Sequence, residues 1–355
     1  MKILYLMHVD WNWIKQRPHF IAEKFNERGF EVDLYFKKNP KISNVNQKKF
    51  ETIKPIPSIR GQRFSFIKNL NLFIYNVFLY FILKKKSYDY IYITHPSLYS
   101  NQFKNKKIIY DCMDDIVAFS NSSKRKQELL FLENRIISKA EIVLFSSNYL
   151  SEVVIKRAGK KPKKYNIINN AIEVPENPII QEKKVQKVNE QIDLTYIGTI
   201  SEWFDFELLN RVQEKYKSKR KLNFNLYGPL EISEKYEFVN FKGSVPHAEI
   251  FDVMDSSDIL IMPFLLTDLI KSVNPVKLYE YIYSGKPVIC LRYGETEKFQ
   301  NQVYLYEPGD EESFIKQLDE IEKNGFKGKL SAHDAQIYVK NNTWKNRVEQ
   351  IVELL

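Results

Sequence analysis

Lys277 and Glu280 stand three residues apart in the segment Asn274-Pro275-Val276-Lys277-Leu278-Tyr279-Glu280-Tyr281-Ile282-Tyr283-Ser284-Gly285-Lys286-Pro287-Val288-Ile289. On a helix that spacing puts an ammonium and a carboxylate on one face. Asn274 is a residue type that caps helix starts, and Pro275 suits a first turn, where its missing N–H would have no partner anyway. A helix opening here presents free backbone N–H groups and the positive end of its dipole, a site for phosphate. Lys277 adds a point charge suited to a diphosphate, and Glu280, one turn on, a carboxylate able to accept two ribose hydroxyls. Gly285 ends the helix, and Lys286-Pro287 launches a buried strand. An ordinary capped crossover has the same pattern, so the chemical reading needs support from the rest of the chain.

Further candidates sit where apolar runs end. The first run, Lys2–Val9, leads into Asp10-Trp11-Asn12-Trp13-Ile14-Lys15-Gln16-Arg17. Trp11 and Trp13 have flat faces for sugar rings, and Asp10 has a carboxylate able to bind or deprotonate a hydroxyl. The same tryptophans would equally plug the loop against a helix beginning near Arg17. His95, in Thr94-His95-Pro96, is a further candidate at a strand end, although a lone histidine is more often only hydrogen-bonded. Asp114 and Asp115 follow the run Lys107–Asp111 and are placed for a catalytic base, or for one to cap the next helix while the other is solvated. Gly198-Thr199 and Tyr227-Gly228-Pro229 are turns without bulk, where a diphosphate approaches backbone closely or the chain simply turns tightly. No Cys/His cluster has metal-ligand spacing.

The elements that must position these residues alternate along the chain. Short apolar runs at Lys2–Val9, Glu31–Phe36, Tyr90–Thr94, Lys107–Asp111, Ile142–Ser146 and Tyr165–Ile168 are strands. Amphipathic stretches at Arg17–Arg28, Ser65–Lys85, Lys124–Ala140 and Asn148–Ala158 are helices between them. Residues 173–191 hold two prolines and many charges with no period, and are expected to be a linker. The alternation restarts at Ile192 and runs through a second set of strands and helices, including Glu207–Lys219, His247–Ser256, Pro275–Ser284 and Glu311–Lys323. Two α/β domains with parallel sheets are expected: residues 1–172, joined by a C-terminal helix at 343–355, and residues 192–342.

The chain has 355 residues, 44% of them hydrophobic and 28% charged, a folded composition of a size for two domains. Its 11 glycines are too few for a Gly-rich phosphate loop to be the main binding device. Cys112 and Cys290 lie far apart in apolar runs and are expected as buried free thiols of a reducing compartment. The first residues are too quickly polar for a secretory signal, so a cytoplasmic protein is expected. The formal net charge is +10. Between Phe36 and Lys86 there are twelve Lys or Arg and one acid, Glu51. That field favours an anionic neighbour or is a solvated basic face. No nucleic-acid-binding signature accompanies it, so nucleic acid is not expected as a partner. Phe64–Lys86, aromatic and ending in Lys84-Lys85-Lys86, falls slightly short of a spanning helix and fits an amphipathic helix on an anionic inner leaflet, or a buried helix with a basic last turn.

NPVKLYEYIYSGKPVI resembles the donor-binding segment of GT-B fold glycosyltransferases of the family-4 kind, in which a Lys or Arg and a Glu hold the nucleotide sugar. Asp10–His19 resembles the opening loop of transferases that build teichuronic acid and related surface polysaccharides. Tyr196-Ile197-Gly198-Thr199-Ile200-Ser201-Glu202-Trp203-Phe204-Asp205 resembles the entry to their second domain, and Tyr110–Asp115 and Asp258–Phe264 match the same group. The resemblance implies two Rossmann-like domains facing across a cleft. It implies donor contacts at Gly198, Thr199, Asn274, Val276, Lys277, Tyr279, Glu280 and Phe264, and acceptor contacts at Trp11, Trp13, Arg17 and His95, with no resident metal or cofactor. Many retaining members carry a Glu eight residues before the equivalent of Glu280; here Ser272 stands there, which leaves the anomeric outcome open. A more distant resemblance, to the inverting glucuronosyltransferase of xanthan assembly, implies an N-domain aspartate base, Asp114 or Asp115, with Asp10 the other candidate. The expected activity is sugar transfer from a nucleotide sugar, a UDP-sugar, to a hydroxyl of a lipid-linked or growing saccharide. A UDP-sugar epimerase of the same fold, or a non-catalytic partner binding membrane and saccharide, are the alternatives.

Overall fold

The computed structural model describes residues 1–42, 51–61, 64–120, 122–174, 191–234, 236–246 and 249–355. The chain divides into two units, Met1–Asn170 with Trp344–Leu355, and Ala171–Thr343. Of the linker expected at 173–191, residues 175–190 lie outside the described residues, as does His247 at the expected start of a helix.

The first unit begins with β1 (Lys2–Met7), α1 (Arg17–Glu27), β2 (Glu31–Phe36), β3 (Thr52–Pro55), α2 (Ser65–Lys85) and β4 (Tyr90–Ile93). It continues with β5 (Ile108–Cys112), α3 (Ser123–Ile137), β6 (Ile142–Phe145), α4 (Asn148–Ala158) and β7 (Lys164–Ile167). The strands form one parallel sheet in the order β3-β2-β1-β4-β5-β6-β7. β1, β4, β5 and β6 are buried along nearly their whole length, which is why they read as unbroken apolar runs rather than alternating ones. β3 is a half-exposed edge strand of Thr52, Ile53, Lys54 and Pro55, too short and polar to be read from sequence. Ser147 starts α4 by accepting the Leu150 N–H at 3.1 Å, and Gly159 ends it at φ 63°, the left-handed position that glycine takes most readily.

The second unit comprises β8 (Gln191–Ile197), α5 (Phe206–Tyr216), β9 (Lys221–Tyr227), β10 (Val239–Gly243), α6 (Ile250–Asp255) and β11 (Ile259–Met262). After these come α7 (Asp268–Ser272), α8 (Val276–Tyr283), β12 (Val288–Leu291), β13 (Tyr304–Tyr306), α9 (Glu311–Lys323) and α10 (Ala332–Lys340). Its sheet is again parallel, in the order β10-β9-β8-β11-β12-β13. α7 and α10 were not expected; the first is a five-residue turn capped by Thr267.

The last helix, α11 (Trp344–Val352), belongs to the first unit and packs on α1. Trp344 stacks on Phe20 with centroids 5.2 Å apart, Arg28 pairs with Glu349 at 2.8 Å, and the Tyr90 hydroxyl donates to the Leu355 carbonyl. Both cysteines are buried and unbridged, Cys112 at the end of β5 and Cys290 in β12.

Candidate functional site

In each sheet the strand order reverses at one point, between β1 and β4 in the first unit and between β8 and β11 in the second. Open α/β sheets bind ligands at the carboxyl ends of the strands beside that reversal. The candidate residues fall on these two edges.

In the first unit a cavity of about 960 Å³ lies at this edge, between the loops after β1, β2 and β4 and the inner side of α2. Asp10 is on its wall but its carboxylate is consumed by the loop. One oxygen accepts the Asn12 backbone and side-chain N–H groups at 3.0 Å, and the other accepts the Asn39 N–H at 2.7 Å. Asp10 therefore ties the loop after β1 to the loop after β2, which corrects its assignment as a base. Trp13 is 47% exposed and lines the cavity. Trp11 is buried against His19, with ring centroids 5.3 Å apart, so it plugs the loop and has no face to offer a sugar.

Arg17 is also a correction. Its guanidinium is 4% exposed and forks onto Asp111 at 2.8–3.1 Å, with a further bond to the Ile168 carbonyl at 2.7 Å. It joins α1 to β5 and to the end of β7 and is closed to an acceptor. His95 is absorbed too: its Nδ1 meets the Ser97 hydroxyl at 2.8 Å and accepts the Ser97 N–H, capping the turn Pro96–Leu98. Burial, with His8 and Lys37 nearby, pushes its pKa down to about 2, so the ring is neutral.

The two aspartates beyond β5 separate cleanly. Asp115 accepts the N–H groups of Val117 and Ala118 and pairs with Arg157 at 2.7 Å, while Arg157 also grips the buried Glu133 at 2.6 Å. This network pins the loop to α3 and α4, so Asp115 is removed as a catalytic candidate. Asp114 makes no side-chain hydrogen bond or ion pair among the described residues. Desolvation raises its pKa to about 6; Arg17 opposes the shift, and Asp111 and Asp115 add to it. A half-buried, unpartnered carboxyl poised near neutrality at a sheet edge is what a general base requires.

In the second unit α8 begins at Val276, and Pro275, in extended conformation, occupies the cap without a side-chain bond. The expected cap, Asn274, is buried and donates instead to the Glu295 carboxylate at 3.0 Å. Glu295, itself 2% exposed, is also held by Lys298 at 2.7 Å. This buried carboxylate beyond β12 was not singled out from sequence: its spacing to Lys298 is visible there, but its contact with Asn274 is tertiary. Lys277 and Glu280 do share a face, with Nζ 2.9 Å from Oε2. Val276 opens the helix, half-buried. The Tyr281 hydroxyl accepts the Ile197 N–H at 2.8 Å, which holds α8 against the end of β8, where Gly198 and Thr199 follow.

Tyr279 and Phe264 are core residues rather than donor contacts. Tyr279 packs edge-on against Phe299 at 5.1 Å, and Phe264 sits among Tyr196 and Phe204. The glycine of the Gly198 turn has a local reason. A Cβ there would meet the Tyr196 hydroxyl at 2.5 Å, and one on Gly228, at φ 144°, would lie 1.9 Å from the Gly198 carbonyl. The Gly228 turn packs against the Gly198 backbone, which requires glycine at position 228 without any ligand, while at Gly198 it is the Tyr196 side chain that occupies the space. Thr199 is half-buried, and its carbonyl accepts the Tyr196 hydroxyl. Ser272 is buried, with its hydroxyl donating to the Leu269 carbonyl at 2.6 Å. Among the described residues no group of three or more His, Cys, Asp or Glu side chains is placed to hold a metal.

Two parallel sheets in these strand orders, with the last helix packed in the first unit, define the GT-B fold of glycosyltransferases. Residues 191–324, within the second unit, match the family model described as glycosyl transferases group 1. A protein of Bacillus subtilis (strain 168), provisionally named teichuronic acid biosynthesis glycosyltransferase TuaH, is 29% identical over 240 residues, 62% of this chain and 60% of that protein. The match thus spans less than two thirds of that relative's length. Sucrose-phosphate synthase of Thermosynechococcus elongatus has the same fold, with TM-score 0.70 and 14% identity, over the whole of this chain and 98% of that one. So does HepE of Anabaena in complex with UDP and glucose, with TM-score 0.70 and 16% identity, over the whole of this chain and 99% of that one. The resemblance drawn from the motifs is borne out.

Proposed function

We propose that the protein is a glycosyltransferase that moves a sugar from a UDP-sugar to a hydroxyl of a lipid-linked or growing cell-surface polysaccharide, on the cytoplasmic face of the plasma membrane. The observation that carries this reading is the Lys277–Glu280 pair on the first turns of α8, beside the Gly198 turn. When a donor enters, Lys277 and the N–H groups of that turn neutralise the diphosphate, and Glu280 takes the ribose hydroxyls. Fixed positive charge then does what a divalent metal does in other transferases. The UDP in the HepE complex and the TuaH name support the donor and product classes.

Asp114 supplies the base. Its carboxylate takes the proton of the acceptor hydroxyl as that oxygen attacks the anomeric carbon, and the bonding pair of the sugar–oxygen bond leaves with the UDP phosphate. That is one displacement with inversion. It is supported by the absence of a carboxylate at Ser272, a buried residue turned into its own helix.

The test is a thermal-shift screen of nucleotide sugars in buffer containing EDTA, with Lys277→Ala and Glu280→Ala as controls. A ligand that binds only the native state raises its melting temperature by mass action. A UDP-sugar is expected to stabilise the wild type and to lose most of its effect in both variants. No shift with any nucleotide sugar, or an undiminished shift in both variants, would sink the assignment.

A further inference from the structure

The first turn of α8, which the transferase reading gives to the diphosphate, takes its direction from the loop after β12 rather than from the residue at its cap. Pro275 stands at that cap, and a proline ring has no acceptor with which to orient the N–H groups that follow. The loop binds both residues ahead of it. The Tyr293 hydroxyl donates to the Val273 carbonyl at 3.0 Å, and the Glu295 carboxylate accepts the Asn274 amide at 3.0 Å. The loop is in turn fixed to its own strand and to the helix. The Thr296 hydroxyl accepts the Tyr293 N–H at 2.9 Å and donates to the Leu291 carbonyl at 2.6 Å. Phe299, ending the turn Glu297–Phe299, packs on Tyr279 of α8.

Glu295 and Asn274 are both buried, so the bond between them lies out of water, where a charge-assisted hydrogen bond is strong. A lone carboxylate beside the start of α8 would compete with a phosphate for the positive end of the helix. Lys298 cancels that charge, with Nζ 2.7 Å from one carboxylate oxygen and 2.8 Å from the other. Glu295 is left to contribute a fixed acceptor rather than a net charge. The next turn of α8 has its own anchor, since the Tyr281 hydroxyl accepts the Ile197 N–H at 2.8 Å. The ribose-binding turn around Glu280 is thus held by one contact and the phosphate-binding turn by another. We propose that Glu295 is a positioning residue for the donor: through Asn274 it sets the direction in which the first-turn N–H groups of α8 meet the diphosphate. This rests on the donor reading of α8 and adds to it a residue that acts through its neighbour. A misplacement of about 1 Å is enough to weaken contacts of this kind.

The experiment measures the affinity of the full chain for UDP by calorimetry and for uridine by ligand-observed NMR, in the wild type, Glu295→Ala, Asn274→Ala and Glu295→Gln. Uridine lacks the phosphates, so the ratio of the two affinities reports the diphosphate contact alone. Glu295→Ala is expected to lower UDP affinity at least tenfold and to leave uridine affinity unchanged. Asn274→Ala breaks the same bond from the other side and is expected to lower the ratio to the same extent; it carries the test by itself should Glu295→Ala not fold. Glu295→Gln keeps an oxygen for the Asn274 amide and should restore most of the UDP affinity. A residue needed only for the fold would lower the melting temperature and leave the ratio where it was. An unchanged ratio in the alanine variants, or a loss in Glu295→Gln as large as in Glu295→Ala, overturns the proposal. If the wild type binds no UDP, or Lys277→Ala binds it undiminished, the donor assignment itself fails and the role of Glu295 falls with it.

Discussion

At the scale of single residues, Asp114 differs from the carboxylates around it in having nothing to hold. Asp111 neutralises Arg17, Asp115 neutralises Arg157, and Asp10 ties two loops together. The carboxyl of Asp114, raised to about 6, is the one of these four left for chemistry. Asp114→Asn is expected to lower kcat by about 10²-fold or more with little change in donor affinity. In the wild type kcat/KM should rise with pH through an apparent pKa near 6 rather than near 4. The stability consequence has the opposite sign. The folded carboxyl keeps its proton to about pH 6 while the unfolded one loses it near pH 4, so stability falls as pH rises across that window. Asn cannot ionise, so the variant is expected to be more stable by about 2–3 kcal/mol at pH 7, with no gain below about pH 4. Denaturant titration at the two pH values measures this. Sequence named Asp114 and Asp115 together; the ion pair of Asp115 with Arg157, 42 residues along the chain, separates them.

At the scale of elements, the strands and most helices were legible because each carries its own signal. Buried parallel strands are continuous apolar runs, and α4 and α9 have a Ser or Asp cap at the boundary that was read. α8 shows where that logic stops. Asn274 is a good cap by type, yet a buried carboxylate at Glu295 competes for its amide, and the helix opens one residue later. Arg17 is a second case, for a charged residue next to an aromatic loop reads as a binding group until its partner is known. Removing it should leave Asp111 buried and unpaired, so Arg17→Ala is expected to cost about 3–5 kcal/mol in stability. An acceptor-binding arginine would instead raise KM with the melting temperature unchanged; denaturation curves alongside kinetics tell the two apart.

At the scale of the whole molecule, α2 has two faces. Tyr75 and Leu79 pack into the core of the first unit, and the Tyr75 hydroxyl donates to the Leu98 carbonyl at 2.6 Å. The opposite face exposes Phe66 (76%), Phe73 (66%) and Phe81 (63%), with Lys84 and Lys85 at its end. By length and composition the helix could cross a membrane, at 21 residues and mean hydropathy 1.5, where the sequence reading put it just short. Docked along the unit by one face, it is suited to lying on a bilayer by the other. Lys86 takes no part in this, since it pairs with Glu31 and Asp33. The protein is expected to sediment with vesicles containing phosphatidylglycerol. Replacing Phe66, Phe73 and Phe81 with Asp should release it without loss of fold, because none of the three packs in the core. Retention of the triple variant on those vesicles would exclude this face as the anchor. Sequence alone determined that the chain is two runs of alternating strand and helix, with a Lys/Glu pair at one helix start, because periodicity and caps are local properties. Which carboxylates are free, which arginine is buried and which aromatics face solvent were decided by tertiary structure, because each depends on partners tens to hundreds of residues away.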